Sequence, residues 1–277
     1  MAQRLKGKAA LITGSSSGIG ASTAVLFSRH GANVTISGRN EERLKMIEKQ
    51  CRAANPESNV LVVSGDLQQR KTLETLVTET IKRHGGIDIL VNNAGGTTPE
   101  GHRDQSASSG TMEDYELIMS LNLTSALELT QLCIPSLKER HGCIVNVSTS
   151  GAKLPVPGFM FYGMAKAALN YMSDAIAVEL APYKVRVNTI SPGPVRTNIL
   201  FGDAAQQDIL YARFAKLTLL ERVAEPEELA RAILFLADNN AASFITGHNL
   251  AVDGGSLLRH SANVGAMFDL GDFTPKK

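Results

Sequence analysis

The sequence predicts a doubly wound α/β fold, a single domain built on a parallel sheet of seven strands with helices on both faces. Three observations carry this expectation. Short apolar runs alternate with longer stretches of helical composition across most of the 277 residues. Runs such as Leu61-Val-Val63 and Ile89-Leu-Val91 are continuously apolar, as in strands buried on both sides. No linker or shift of composition divides the chain. The domain is expected to span 1–255, with 256–277 as a tail without periodicity.

The strand-like runs fall at 9–13, 33–37, 60–64, 87–91, 143–147, 185–190 and 248–252. Helix-like stretches lie near 18–30, 40–54, 68–84, 113–138, 159–181 and 225–238. The first strand runs into Thr13-Gly-Ser-Ser-Ser-Gly-Ile-Gly20, which opens the first helix. Glycines at 14, 18 and 20 let a pyrophosphate approach the backbone there. The helix N-terminus adds oriented N–H groups and a favourable dipole. Gly14, Gly18, Ile19 and Gly20 therefore read as the dinucleotide loop of a Rossmann-type fold, and Ser15 and Ser17 can add weaker contacts.

The second strand ends in Ile36-Ser-Gly-Arg-Asn40. In NAD-selective sites an acid near this point bonds the ribose hydroxyls. Gly38 stands there instead, and Arg39 can form charge-assisted bonds to a phosphate. The expectation is NADP(H) rather than NAD(H), with Arg39 and Asn40 at the adenosine end. Asp66, followed by Leu67, ends the third strand, where it is placed to touch the adenine and can also cap the next helix. Two segments exceed ordinary loop length, 97–110 after strand four and 192–220 after strand six. Loops leaving the carboxyl ends of strands build the ligand crevice, so both are candidate substrate walls.

Tyr162 and Lys166 stand four apart in a helix-like stretch and share one helix face. A nearby ammonium favours the phenolate and is expected to lower the tyrosine from its ordinary value of about 10. A phenol tuned that way exchanges a proton with a substrate oxygen near neutral pH.

With these residues in order, the chain resembles the short-chain dehydrogenase/reductase family, from Gly7 to Gly255. The resemblance rests on the glycine loop, Asn92-Asn-Ala-Gly95, Asn122, Tyr162-xxx-Lys166 and Pro192-Gly193. It implies reversible, metal-free carbonyl reduction or alcohol oxidation. Tyr162 would be the acid, and Lys166 would tune it and hold the nicotinamide ribose. Asn122, mid-helix, would hold a water linked to the lysine. Asn93, Ala94 and Gly95 would line the adenosine side, and Pro192, Gly193, Val195 and Thr197 would shape the nicotinamide pocket. The family also places a serine near the end of strand five to bond the substrate oxygen. At the matching distance from Tyr162 stands Thr149, flanked by Ser148 and Ser150, so Thr149 and then Ser148 are the candidates.

A net charge of +1 with scattered Lys and Arg gives no nucleic-acid footprint. Cys51, Cys133 and Cys143 lack metal-ligand spacing, and the first residues lack a secretory pattern, so the cytoplasm is the expected location. No apolar run approaches the roughly 20 residues of a membrane span. Aromatic and aliphatic residues around Phe159–161 and Leu200, Phe201, Leu210, Tyr211 and Phe214 suggest an apolar small-molecule substrate, the alternative being that they pack the core or an interface. Stretches 113–138 and 159–181 are apolar around much of their circumference and need burial on more than one side. The resemblance implies that they pair between subunits of a homotetramer, with the tail reaching a neighbouring site.

Overall fold

A computed structural model describes residues 3–97, 105–197 and 204–259. Seven parallel strands form one sheet in the order β3-β2-β1-β4-β5-β6-β7. They are β1 (Ala9–Ile12), β2 (Asn33–Gly38), β3 (Val60–Ser64), β4 (Ile89–Asn92), β5 (Cys143–Val147), β6 (Arg186–Pro192) and β7 (Asn249–Val252). The chain winds outward from β1 to β3, then returns to lay β4 on the other side of β1. The crevice at that reversal is where doubly wound sheets bind ligands.

Eight helices are described: α1 (Gly18–Arg29), α2 (Glu41–Ala54), α3 (Arg70–His84), α4 (Met112–Met119), α5 (Ser125–Arg140), α6 (Met160–Leu180), α7 (Ala204–Ala215) and α8 (Pro226–Ala237). Strand periodicity divides the core between the two faces of the sheet. Ala10, Ile12, Ile89, Val91 and Val145 pack with α1, α2 and α8 residues such as Phe27, Leu44 and Ile233. Leu11, Leu90 and Ile144 point the other way, against Leu76, Leu129 and Ile176 of α3, α5 and α6. Each fully buried leucine or isoleucine contributes about 1.5–3 kcal/mol. Local signals set the helix ends. Asn40 caps α2 by accepting from the Arg43 amide at 2.9 Å, and Gly85 ends α3 with φ of 77°.

The structure departs from the sequence expectation in three places. The helix expected at 113–138 is interrupted by a π-turn, Ser120–Thr124, between α4 and α5. The segment 192–220, expected as a loop, contains α7. The helical stretch 112–140 has a window of mean hydropathy 1.4, long and apolar enough by composition to span a bilayer, contrary to expectation. Here it packs against α3 and α6. The expected tail lies outside the described residues from residue 260 onward, as do Leu200 and Phe201.

Candidate active site

The glycine loop leaves the carboxyl end of β1 and is locked to the segment after β4. Gly14 takes φ of +65°, and a Cβ on it would lie 2.9 Å from the Ala94 backbone. The Asn93 amide group donates to the carbonyls of Thr13 at 2.8 Å and Gly14 at 3.2 Å. The Thr13 hydroxyl accepts from the backbone of Asn93 and Ala94, both at 3.0 Å. Thr13, which opens the motif, has a side chain that pins the two loops together. Ser15 is fully buried, with its amide bonded to Ser37 and its hydroxyl donating to Ile12. It braces β1 against β2, and neither its N–H nor its O–H hydrogen is left for a ligand. Ser17, by contrast, is the N-cap of α1 and makes no side-chain cap bond. The first N–H groups of α1 thus stay open to an anion.

Gly18 has φ of +56°, and its missing Cβ is matched by Thr197 Cγ2, which would stand 3.1 Å from it. The turn after β6 therefore meets the head of α1. Gly193 is also required sterically, since a Cβ would lie 2.7 Å from Asp253 Cα. Val195 forms a bridge with Ala224, and Pro192 closes β6 beside Val252. Tyr211 is buried and ties down Thr197, donating to its carbonyl at 2.8 Å. It is a structural tie.

Arg39 and Asn40 follow β2 on the surface, with the Asn40 side chain occupied in capping α2. A Cβ on Gly38 would touch Ser16, so Ser16 occupies the space where an acid would project. A cleft of about 440 Å³ beside the loop is lined by Ser16, Ser17, Gly18, Arg43, Arg196 and Thr197 among others. Arg43 escaped the sequence reading, although a basic residue one turn into the helix after β2 was the available signal. Asp66 does not cap α3, whose N-cap is Gln69. It braces the preceding turn by accepting from the Gln68 amide at 3.0 Å. Leu67 is buried in the core.

The second half of the site lies past β4 and β5. A Cβ on Gly95 would stand 2.6 Å from Asn122 Oδ1 and 2.9 Å from Lys166 Nζ, so these two polar groups converge on one bare backbone position. Asn122 pairs with Gly96 like a strand neighbour. It donates to the carbonyl at 2.8 Å and accepts from the amide at 3.0 Å. Its Nδ2 also reaches the Ile118 carbonyl at 3.0 Å. The π-turn that holds Asn122 is the kind of helix irregularity often found at functional sites. Behind it, Asn92 bridges Thr130 and Asn146, and Asn146 continues to Ser173 at 2.7 Å, a buried polar chain across the sheet.

Lys166 is 3% exposed and donates to the Val147 carbonyl at 2.9 Å. Its ammonium lies 5.8 Å from the centre of the Tyr162 ring. Burial pushes Lys166 down from 10.5 to about 8. Burial also pushes Tyr162 up from 10.0 to about 12. The expected lowering of the tyrosine is not found: the pair shares a face, but burial is what moves the phenol, and it moves it up. The buried Ser148 donates to the Lys166 carbonyl at 3.3 Å. Thr149 is half-buried, and its oxygen accepts from the Gly151 amide at 3.2 Å. Phe161 is buried against Ile118 and belongs to the core. The three cysteines are free and buried, their thiols pushed up by burial, and no metal-ligating cluster exists among the described residues.

A glycine-rich loop at the switch point of a parallel sheet, with tyrosine and lysine converging beside it, defines a nicotinamide-dinucleotide-dependent oxidoreductase acting on CH–OH groups. The chain belongs to the short-chain dehydrogenase/reductase family. A sequence model of that family, described as enoyl-(acyl carrier protein) reductase, matches residues 14–256. The chain is 34% identical over 258 residues to a 3-oxoacyl-[acyl-carrier-protein] reductase of Thermotoga maritima, covering 92% of this chain and all of that one. It also resembles the solved 3-ketoacyl-(acyl-carrier-protein) reductase of Brucella melitensis complexed with NADH. That match has a TM-score of 0.80 at 32% identity and covers 91% and 99% of the two chains. A short-chain dehydrogenase of Burkholderia cenocepacia in complex with NADP gives a TM-score of 0.82 at 28% identity, over 92% and 99%.

Proposed function

We propose that the protein is an NADP(H)-dependent oxidoreductase that interconverts a carbonyl and a secondary alcohol on a small, largely apolar substrate. The observation that carries this reading is the convergence of Lys166 and Asn122 on Gly95, on the face of α6 that bears Tyr162. The open N-terminus of α1 and the positive-φ glycines fit a pyrophosphate. Arg39 and Arg43 near the end of β2, with Ser16 over Gly38, favour a 2′-phosphate over bare ribose hydroxyls. Relatives with NADH and with NADP both exist, so this preference rests on the arginines.

When bound, the nicotinamide supplies the hydride that reaches the carbonyl carbon. The chain's own task is the proton. Tyr162, held protonated through the neutral range, donates to the carbonyl oxygen as negative charge builds there. Lys166, charged below about pH 8, stabilises the phenolate left behind. Thr149 donates to the substrate oxygen, because its hydroxyl hydrogen is free while that of Ser148 is spent on the Lys166 carbonyl. Asn122 holds the Gly96 backbone, and its Oδ1 can accept one more bond on the side facing Lys166. Leu154, Val156 and Met160, exposed between Thr149 and Tyr162, supply an apolar rim. Free buried thiols fit a reducing, cytoplasmic setting.

The test is a panel of aliphatic and cyclic ketones, aldehydes and β-keto esters with NADPH and NADH, assayed on wild type, Tyr162→Phe and Arg39→Ala. We expect turnover preferring NADPH, loss of turnover with Tyr162→Phe while the dinucleotide still binds, and weaker NADPH binding in Arg39→Ala. Equal use of both dinucleotides by wild type and Arg39→Ala would overturn the phosphate assignment.

A further inference from the structure

The helix that carries Tyr162 and Lys166 begins at Met160, and Phe159 at its N-cap provides no side-chain cap. Its first N–H groups need partners from elsewhere. The Tyr162 amide finds one 57 positions away in sequence, donating to Gln105 Oε1 at 2.9 Å. Gln105 is fully buried and forms an isolated parallel bridge with Phe159. Its Nε2 points to the carbonyl of the buried Thr97 at 3.5 Å, the edge of hydrogen-bonding range.

The surroundings leave this amide little freedom. A Cβ on Gly110 would lie 2.8 Å from the Phe161 ring, so the segment behind Gln105 is seated on the first turn of α6. Phe161 in turn meets Tyr115 of α4 edge-on, with ring centres 5.6 Å apart. Thr97 directly follows Gly96, whose N–H and C=O are held by Asn122. A single buried side chain therefore spans from the Gly96–Thr97 backbone, beside Asn122 and Lys166, to the backbone of Tyr162.

We infer that Gln105 is a positioning residue for the proposed reaction, fixing the first turn of α6 so that the Tyr162 phenol keeps its place relative to Gly95 and Lys166. It touches none of the reacting atoms, and it rests on the reading of Tyr162 as proton donor. Withdrawing the acceptor leaves a helix-terminal N–H without its partner and lets the turn fray. Proton transfer is sensitive to that, because a misplacement of about 1 Å can cost on the order of 100-fold in rate.

The experiment compares wild type, Gln105→Met, Gln105→Glu and Tyr162→Phe with the fastest carbonyl substrate of the panel. Methionine matches the length of glutamine without the acceptor. Glutamate keeps the acceptor, and in this fully buried place it is read in mildly acidic buffer, where the neutral carboxyl turns its O–H toward the Thr97 carbonyl in place of the Nε2 donor. We expect Gln105→Met to lower kcat by about 10–100-fold, with KM and dinucleotide affinity held, and Gln105→Glu to recover most of the loss. An unchanged kcat in Gln105→Met overturns the inference. So does a fall in kcat matched by loss of dinucleotide binding, or a Gln105→Glu variant no better than Gln105→Met. Should Gln105→Met not fold by circular dichroism, Gln105→Asn, whose oxygen sits one methylene short, takes the same readings. Full activity in Tyr162→Phe would sink the underlying reading instead, whatever the Gln105 variants do.

Discussion

The Lys166 ammonium gives its nearest hydrogen bond to the Val147 carbonyl, while its charge lies 5.8 Å from the Tyr162 ring centre. Sequence spacing placed the two side chains on one face, and that geometry is present. The direction of the tyrosine shift was not readable from spacing, because it depends on how much water the fold removes from both groups. With Lys166 pushed to about 8, its charge fades just above neutrality. Carbonyl reduction is therefore expected to fall as pH rises through about 8, while Tyr162, at about 12, stays protonated. A pH profile of kcat/KM checks this, and a flat profile to pH 10 would contradict it. The same shift has a signature in stability. Between about 8 and 10.5 the unfolded chain holds a proton on Lys166 that the folded chain has released, so stability rises with pH across that window. Lys166→Met lacks this rise. Its stability relative to wild type should be greatest below pH 8 and drop by roughly 3 kcal/mol toward pH 10.5, as measured by urea unfolding.

Among the loops, Gly95 carries a tight requirement at the site, with Asn122 and Lys166 both closing on the place of its absent side chain. Gly95→Ala is expected to cost about 1–3 kcal/mol by overpacking and to lower activity by displacing Lys166. Gly96→Ala is the control, since nothing lies within 4 Å of a Cβ there. Thermal melts and kcat of the two variants separate the effects, and equal behaviour would refute the account. The glycine loop, Asn93 and Gly193 were legible in the sequence because glycine and asparagine mark backbone conformations and close approaches that other residues resist. The π-turn at Asn122 was not, since Ser120-Leu-Asn-Leu-Thr124 has no glycine or proline to mark a break, and the break accompanies pairing with Gly96, a tertiary contact. The local roles of Ser15 and Asp66 were not legible for a related reason. Each is a small polar residue beside a ligand loop, and only the fold reveals that their bonds close on local backbone. Gln105 gave no local signal, as its partner lies in another element.

For the whole molecule, alternation of strands and helices was enough to obtain the sheet, because parallel strands buried on both faces write continuous apolar runs. What alternation does not tell is which apolar helix surface stays uncovered when one chain has folded. On α6 the residues Met164, Tyr171 and Val178 recur at sevenfold spacing, and Tyr171 and Val178 are each 77% exposed. The opposite side of the same helix supplies Ala165, Lys166, Leu169 and Ser173 to the interior. Two large apolar side chains left in water on a helix whose other side is core fit burial against a second copy, as in the homotetramer that the family resemblance implies. Tyr171→Glu combined with Val178→Glu would place two carboxylates into such a contact, which is costly without partners. Light scattering should then read four chains for wild type and fewer for the double variant. Turnover should fall with assembly, since the buried side of the helix that loses its neighbour is the side holding Lys166. A double variant with the wild-type mass would show that this face is not an interface.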